Sequence, residues 1–144
     1  MKDRELRIIA VNERTAERLR VARDAVIGKT DYEIAPAPLA ERHRQEDLEV
    51  IRSGTTLRLD EHGRYGTDRW FEVVKTPVFD DEHQVVGVIG IARDITERKQ
   101  TEEALRQSNA RLQALVHELE QRGLARAALN EPVSYTHLTL PTKA

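Results

Sequence analysis

The stretch Gly87–Gln107, GVIGIARDITERKQTEEALRQ, changes character halfway along. Up to Ala92 it is apolar and β-branched and carries Gly87 and Gly90, as a buried strand would. From Glu97 it is charged and free of glycine and proline, as a long helix would be. Between the halves stand Asp94, Ile95, Thr96 and Glu97. Their spacing predicts a capping box, with Asp94 as N-cap accepting from the Glu97 N–H and the Glu97 side chain bonding back. Beyond the cap, Leu105, Leu112 and Leu119 repeat as d positions of a heptad, which places Ile95, Asn109 and Val116 at a. Leucine at d, β-branched residues at a and one asparagine in the seam form the pattern of a parallel two-stranded coiled coil. Glu102 at a and Arg98 at d weaken its first turns. A single amphipathic helix folded back on a sheet is the alternative.

Upstream the pattern is β-rich. RWFEVVKTPVFD (Arg69–Asp80) reads as a strand in which Pro77 signals an edge or a bend, and TTLRLDE (Thr55–Glu61) alternates. GRYGTD and DDEHQ carry the turn chemistry between strands. Before them, Pro36 and Pro38 break the pattern, and a helix is expected from about Leu39 to a stop at Gly54, with Leu48 and Ile51 on its apolar side. Asn12–Gly28 has Ala16 and Leu19 at helical spacing, and Leu6–Asn12, LRIIAVN, reads as a short buried strand. A strand, short helices and three successive strands joined by turns make an α+β domain with an antiparallel sheet.

With 144 residues the chain has room for one ordinary domain and an appendage. A net charge of −2 with 33% charged residues gives no whole-chain attraction to nucleic acid or acidic lipid. No apolar run approaches a membrane span, and MKDRELRIIAVN lacks the apolar core of a signal peptide. The lack of cysteine removes disulfides, thiolate metal sites and thiol nucleophiles, and fits a reducing cytoplasm. At the other end, Val133–Thr142, VSYTHLTLPT, matches one reading frame of a transposase-end sequencing adapter. Residues 131–144 are therefore read as a non-native tail, and the natural protein as continuing past Asn130.

RIIAVN followed by AERL, then VIGKTDYEI, then RWFEVVKTPVFDDEHQVVGVIGIARDITERK resembles the PAS sensory domain with its C-terminal PAC motif, from about Leu6 to Lys99. DITERK directly after an apolar strand is the most specific piece. The resemblance implies a five-stranded antiparallel sheet with helices on one face around a small cavity. It makes Leu6–Asn12 the second strand and leaves the first partial or missing before it. The domain would span residues 1–96 and a signalling coiled-coil helix residues 97–130. The family often has a glycine where His83 stands, which implies a positive φ or a shifted turn there.

The resemblance further implies a sensor whose last strand lines a ligand cavity and whose exit helix runs to an output domain. Cavity candidates are Ile9, Val11, Ile34, Leu48, Val73, Val86, Val88 and Ile91; Asp94, Ile95, Thr96 and Glu97 are the signal junction. The expected partners are a second copy in a parallel homodimer, a small-molecule ligand and an output domain, of histidine kinase or diguanylate cyclase type, in a bacterial signalling protein. No nucleic acid is expected. Flavin–cysteinyl chemistry has no cysteine to use. His43 sits where haem-binding members carry a ligand, but ERHRQED surrounds it with charge, as on a solvated helix face. His43, His62 and His83 lack metal-ligand spacing. His117-Glu118-Leu119 echoes the phosphoacceptor box of histidine kinases but lacks its basic residue and proline, so it reads as an exposed coil histidine. No catalytic constellation appears, and the fragment is not expected to be an enzyme. A ligand-free PAS interaction module is the alternative function.

Overall fold

Alternating sequence over Leu57–His62 and Trp70–Phe79 sets two of the strands that build the sheet. A computed structural model describes residues 1–123, which form two units, Met1–Thr96 and a second beginning at Glu97. In the first unit, strands β1 (Lys2–Asp3), β2 (Leu57–His62), β3 (Trp70–Phe79) and β4 (Val85–Asp94) form an antiparallel sheet in the order β1-β4-β3-β2. Helices α1 (Glu13–Leu19), α2 (Arg23–Val26), α3 (Asp31–Ile34) and α4 (Ala37–Ser53) lie between β1 and β2 in the chain. This is the expected α+β arrangement with an antiparallel sheet, of four strands rather than five among the described residues, followed by the long helix α5 (Thr96–Gln121). The adapter-like tail and the end of the predicted coil lie outside the described residues.

Alternation in β3 turns Phe71, Val73, Lys75 and Pro77 inward. Pro77 lies in a central strand, and the backbone explains why it is tolerated. Trp70 donates its N–H to Thr96 Oγ1 and accepts from the Ile95 N–H, so it faces the β4 flank. The strand's period of two then turns the odd-numbered backbone groups toward β2, whose pairing stops at Leu57↔Lys75. No neighbour there requires the N–H that proline lacks. In the turn, Asp80 Oδ1 accepts from the Glu82 and Gln84 N–H groups at 2.9 and 2.8 Å. His83 adopts φ 59° there.

The partial first strand is β1, paired as Lys2↔Val88 and Asp3↔Gly87. A Cβ on Gly87 would stand 2.3 Å from the Lys2 carbonyl oxygen, so only glycine admits β1 at this distance. Leu6–Asn12 does not form the expected strand; a single bridge, Lys2↔Ile8, stands in its place. The chain reverses at Leu6 (φ 63°), and loop partners take its backbone groups: Ile8 N–H donates to Lys29 O, Ile8 O accepts from Gly28 N–H, and Ile9 N–H donates to Met1 O.

The expected first helix is broken into α1 and α2 by Arg20 in the left-handed region (φ 56°). Asn12 caps α1 by accepting from Thr15 N–H. In α3 a capping box of Thr30 and Glu33 was not anticipated. Helix α4 starts two residues before Leu39, with Pro38 in its first turn, and ends at Gly54 with φ 64°. Its buried side carries Ala40, Asp47 and Val50, whereas Leu48 is exposed. The core is small and mostly aliphatic, with Ile8, Val26, Val50, Val73, Val88 and Ile95 among its members.

No residue of α5 is buried: Leu105, Asn109, Leu112, Leu115 and Val116 are exposed, and Leu119 is partly so. Ile95, assigned above to the first a position of the seam, instead belongs to the core of the first unit at 4% exposure. Its N–H bonds to Trp70 O, so it ends the sheet rather than beginning the coil. Among the described residues, no helix is long and apolar enough to cross a membrane.

Candidate functional site

A cavity of about 130 Å³ lies in the first unit. Its aliphatic wall includes Ile8, Val11, Ile34, Val73, Val88 and Ile91. Three candidates lie elsewhere. Ile9 is exposed because its neighbour Ile8 takes the inward position. Leu48 follows the inward Asp47 and turns to solvent. Val86 is the extra residue of a bulge, since Val78 pairs with Gly87 while Phe79 pairs with Val85, and it too faces outward.

Charged side chains make up a second part of the wall, which apolar periodicity does not reveal. Lys2, Arg18, Arg64 and Lys75 line it together with Asp31, Asp47, His43 and Tyr65. Lys2 Nζ bonds to Asp31 and, at 2.5 Å, to Asp47 Oδ2. Lys75 Nζ lies 2.6 Å from Asp47 Oδ1 and 2.9 Å from Glu46 Oε2, and donates to the His43 carbonyl. Arg64 holds Glu46 with both terminal nitrogens, at 2.9 and 2.5 Å, and Glu61 at 2.6 Å. Burial pushes the Asp31 carboxyl up, but the hydrogen bond from His43 and the charge and hydrogen bond of Lys2 outweigh it and hold the group at about 2. Burial likewise opposes ionisation of Glu46, and Arg64 and Lys75 prevail, again to about 2. Unpaired, charges buried this far would be costly; the pairing is what permits them. Lys75 at an inward strand position and Asp47 on the buried helix side were the available sequence signals.

His43 departs from the solvated-face reading: its Nδ1 lies 3.1 Å from Asp31 Oδ1 on the cavity wall. His62 pairs with Asp68 at 2.7 Å and packs on Trp70. The exposed His117 ring lies 3.1 Å from the Gln121 amide. Among the described residues, no cluster of three or more His, Cys, Asp or Glu is placed to hold a metal ion.

At the end of β4, the Asp94 carboxylate accepts from Thr96 N–H (3.0 Å) and Thr96 Oγ–H (2.6 Å) through Oδ1, and from Arg69 through Oδ2 (2.7 Å). The predicted reach from Asp94 to the Glu97 N–H is replaced by this tighter loop, because the helix begins at Thr96 and Ile95 is held in the core. Thr96 Oγ1 in turn accepts from Trp70 N–H at 3.0 Å. The hydrogen bonds from Thr96, and then Arg69, hold the Asp94 carboxyl at about 2.

The sequence profile described as the PAS fold matches residues 1–100. The chain belongs to the PAS family. It is 33% identical over 101 residues to the methanogenesis regulatory histidine kinase FilI of Methanothrix harundinacea, covering 69% of this chain and 11% of FilI. The chain thus spans about one-ninth of that relative's length. It is also similar to VqmA of Vibrio cholerae, solved in complex with a ligand and DNA, at 29% identity and TM-score 0.56, over 65% of this chain and 43% of VqmA. A sensory box sensor histidine kinase from Vibrio cholerae shares the fold at 14% identity and TM-score 0.57, over 66% of this chain and 78% of that one. The chain is therefore a PAS sensory domain related to the sensor modules of histidine kinases.

Proposed function

We propose that the chain is the sensing and transmitting piece of a larger cytoplasmic signalling protein. Its cavity takes a small molecule, and occupancy biases a dimeric coiled coil formed by α5. The coil drives an output domain of histidine kinase or diguanylate cyclase type, and the fragment itself carries no catalysis. One observation supports this reading above the rest: β4 lines the cavity at Val88 and from Gly90 to Ala92, then ends two residues later at Asp94. That carboxylate holds Thr96, the first residue of α5. A ligand that displaces β4 acts on the helix start through one short, hydrogen-bonded link. A dimeric coil with discrete packings converts such a small shift into a switch. The FilI relationship supports a kinase-type parent, and the ligand-bound VqmA supports a ligand cavity.

A fusion of residues 1–121 to a coil-dependent histidine kinase tests the link. Asp94→Ala removes the bonds to Thr96 and Arg69 and is expected to cost about 0.5–2 kcal/mol of stability. It should leave the domain folded while uncoupling autophosphorylation from cavity occupancy. Unchanged coupling in Asp94→Ala would overturn the relay. The ligand-free interaction module draws on the exposed apolar Phe79, Val86 and Ile89. It predicts dimerisation that no cavity ligand alters.

A further inference from the structure

We propose that the cavity selects a small organic monoanion, and that the Arg18 and Arg64 guanidinium groups recognise its carboxylate. The proposal rests on the cavity being the sensor's ligand site and names the chemical class it takes.

The charge pairing on the wall leaves the Arg18 guanidinium over, as well as the Met1 α-ammonium, which donates to the Ala10 carbonyl rather than to a carboxylate. Asp31 and Asp47 face Lys2, Asp47 and Glu46 face Lys75, Glu46 and Glu61 face Arg64, and Glu61 also meets Arg42. Among the described residues, no acidic side chain pairs with Arg18. Its guanidinium instead lies over the Tyr65 ring, 4.4 Å from the centroid, and Tyr65 is held edge-on by Phe71 at 5.0 Å. Arg64 approaches the same ring, its guanidinium carbon 6.0 Å from the centroid.

Both arginines line the cavity, and the Nε atom of each is buried without a hydrogen-bond partner. The Arg64 side chain is 1% exposed and its terminal nitrogens are already engaged with Glu46 and Glu61. A buried N–H left unpaired costs about 1–3 kcal/mol, so two beside one ring on one cavity wall mark a place for an acceptor. A carboxylate suits it, because charge-assisted bonds from guanidinium are among the strongest available. It also offsets the positive charge of Arg18, which no carboxylate on the wall meets.

Size and lining narrow the class further. The volume of about 130 Å³ is close to that of the ~150 Å³ engineered cavity that holds benzene. The ligand therefore has roughly the bulk of a six-membered ring or a short branched chain. Ile8, Val11, Val73 and Val88 offer such a body an apolar wall. A strongly hydrated inorganic anion has nothing to gain from them.

The test is a titration of the full ¹⁵N-labelled chain with isobutyrate and benzoate, each against its neutral amide, following the Arg18 and Arg64 Nε–H signals. Saturable shifts of these signals are expected with the carboxylates, and affinity for the amides should be about tenfold weaker or less. Arg18→Gln should weaken carboxylate binding by about tenfold while leaving the melting temperature near wild type, and Arg18→Lys should restore part of the loss. Equal affinity for acid and amide, or wild-type carboxylate binding in Arg18→Gln, would overturn the anion assignment while leaving a ligand cavity in place. No response to either carboxylate up to about 50 mM would overturn it as well. Failure of the relay is read separately, from kinase output in Asp94→Ala.

Discussion

Gly87 and Gly90 stand three residues apart in one strand, yet their backbones answer to different neighbours. At Gly87 a Cβ would meet the backbone of Lys2, whereas at Gly90 the nearest atom is Lys75 Cγ at an ordinary 3.9 Å. Gly87→Ala must therefore displace β1, and with it the Lys2 ammonium from Asp31 and Asp47. The expected loss is about 1–3 kcal/mol in chemical denaturation, with faster amide exchange where β1 pairs with Val88. Gly90→Ala should stay within about 0.5 kcal/mol of wild type. Equal effects would remove the close approach of β1 as the reason for Gly87. A glycine inside a strand is a place where another backbone can approach closely, but only the pairing shows that the chain's own first strand approaches Gly87. Lys75 is a similar case. Its inward phase follows from alternation with Phe71 and Val73, yet its carboxylate partners come from α4.

At the scale of the element, α5 shows most plainly what a local pattern determines. Its exposed leucines keep the heptad spacing, and Asn109 lies on the same stripe. An asparagine at a reduces the stability of a two-stranded coil but restricts its register. If α5 pairs with a second copy through this stripe, Asn109→Val should raise a concentration-dependent melting temperature while broadening the oligomer distribution in sedimentation. A melting temperature and distribution both unchanged would exclude the stripe as a seam. The start of the helix was legible to within a residue or two, because Asp and Thr before a charged run are capping chemistry. The partner of Asp94 was not: core packing of Ile95 draws in the residue between cap and helix, so the carboxylate closes on Thr96 instead of Glu97.

Across the whole domain, the cavity's ion pairs link β1, α3, α4 and β3 in one network. Asp31 and Glu46 are both held at about 2, below their ordinary 3.8 and 4.5. A carboxyl depressed in the folded state stabilises it above the ordinary value and loses that contribution as pH falls through the folded one. Stability should therefore decline from about pH 4.5 down to about 2, by up to roughly 2 kcal/mol for Asp31, while solvent screening reduces what the half-buried Glu46 contributes. Asp31→Asn and Glu46→Gln should each be less stable at neutral pH and show a shallower acid decline. An acid limb as steep as wild type in both variants would show that these pairs do not couple protonation to folding. Asp94, nearer solvent and paired with Arg69, should contribute less.

The sequence by itself determined the order of the last three strands, their turns, the helix ending at Gly54 and the helix that follows Asp94. Each rests on contiguous residues, through alternation, turn chemistry, capping and heptad spacing. The tertiary structure decided the fate of Leu6–Asn12, where loop partners took the backbone groups a strand would have used. It also decided which apolar residues reach the cavity, since one bulged residue at Val86 and one helix phase at Leu48 reverse the direction of a side chain. Above all it decided that the cavity is charged. Lys2, Asp31, Asp47, Arg64 and Lys75 come from separate segments, and although alternation turns Lys75 inward, only the fold brings their charges together on one wall.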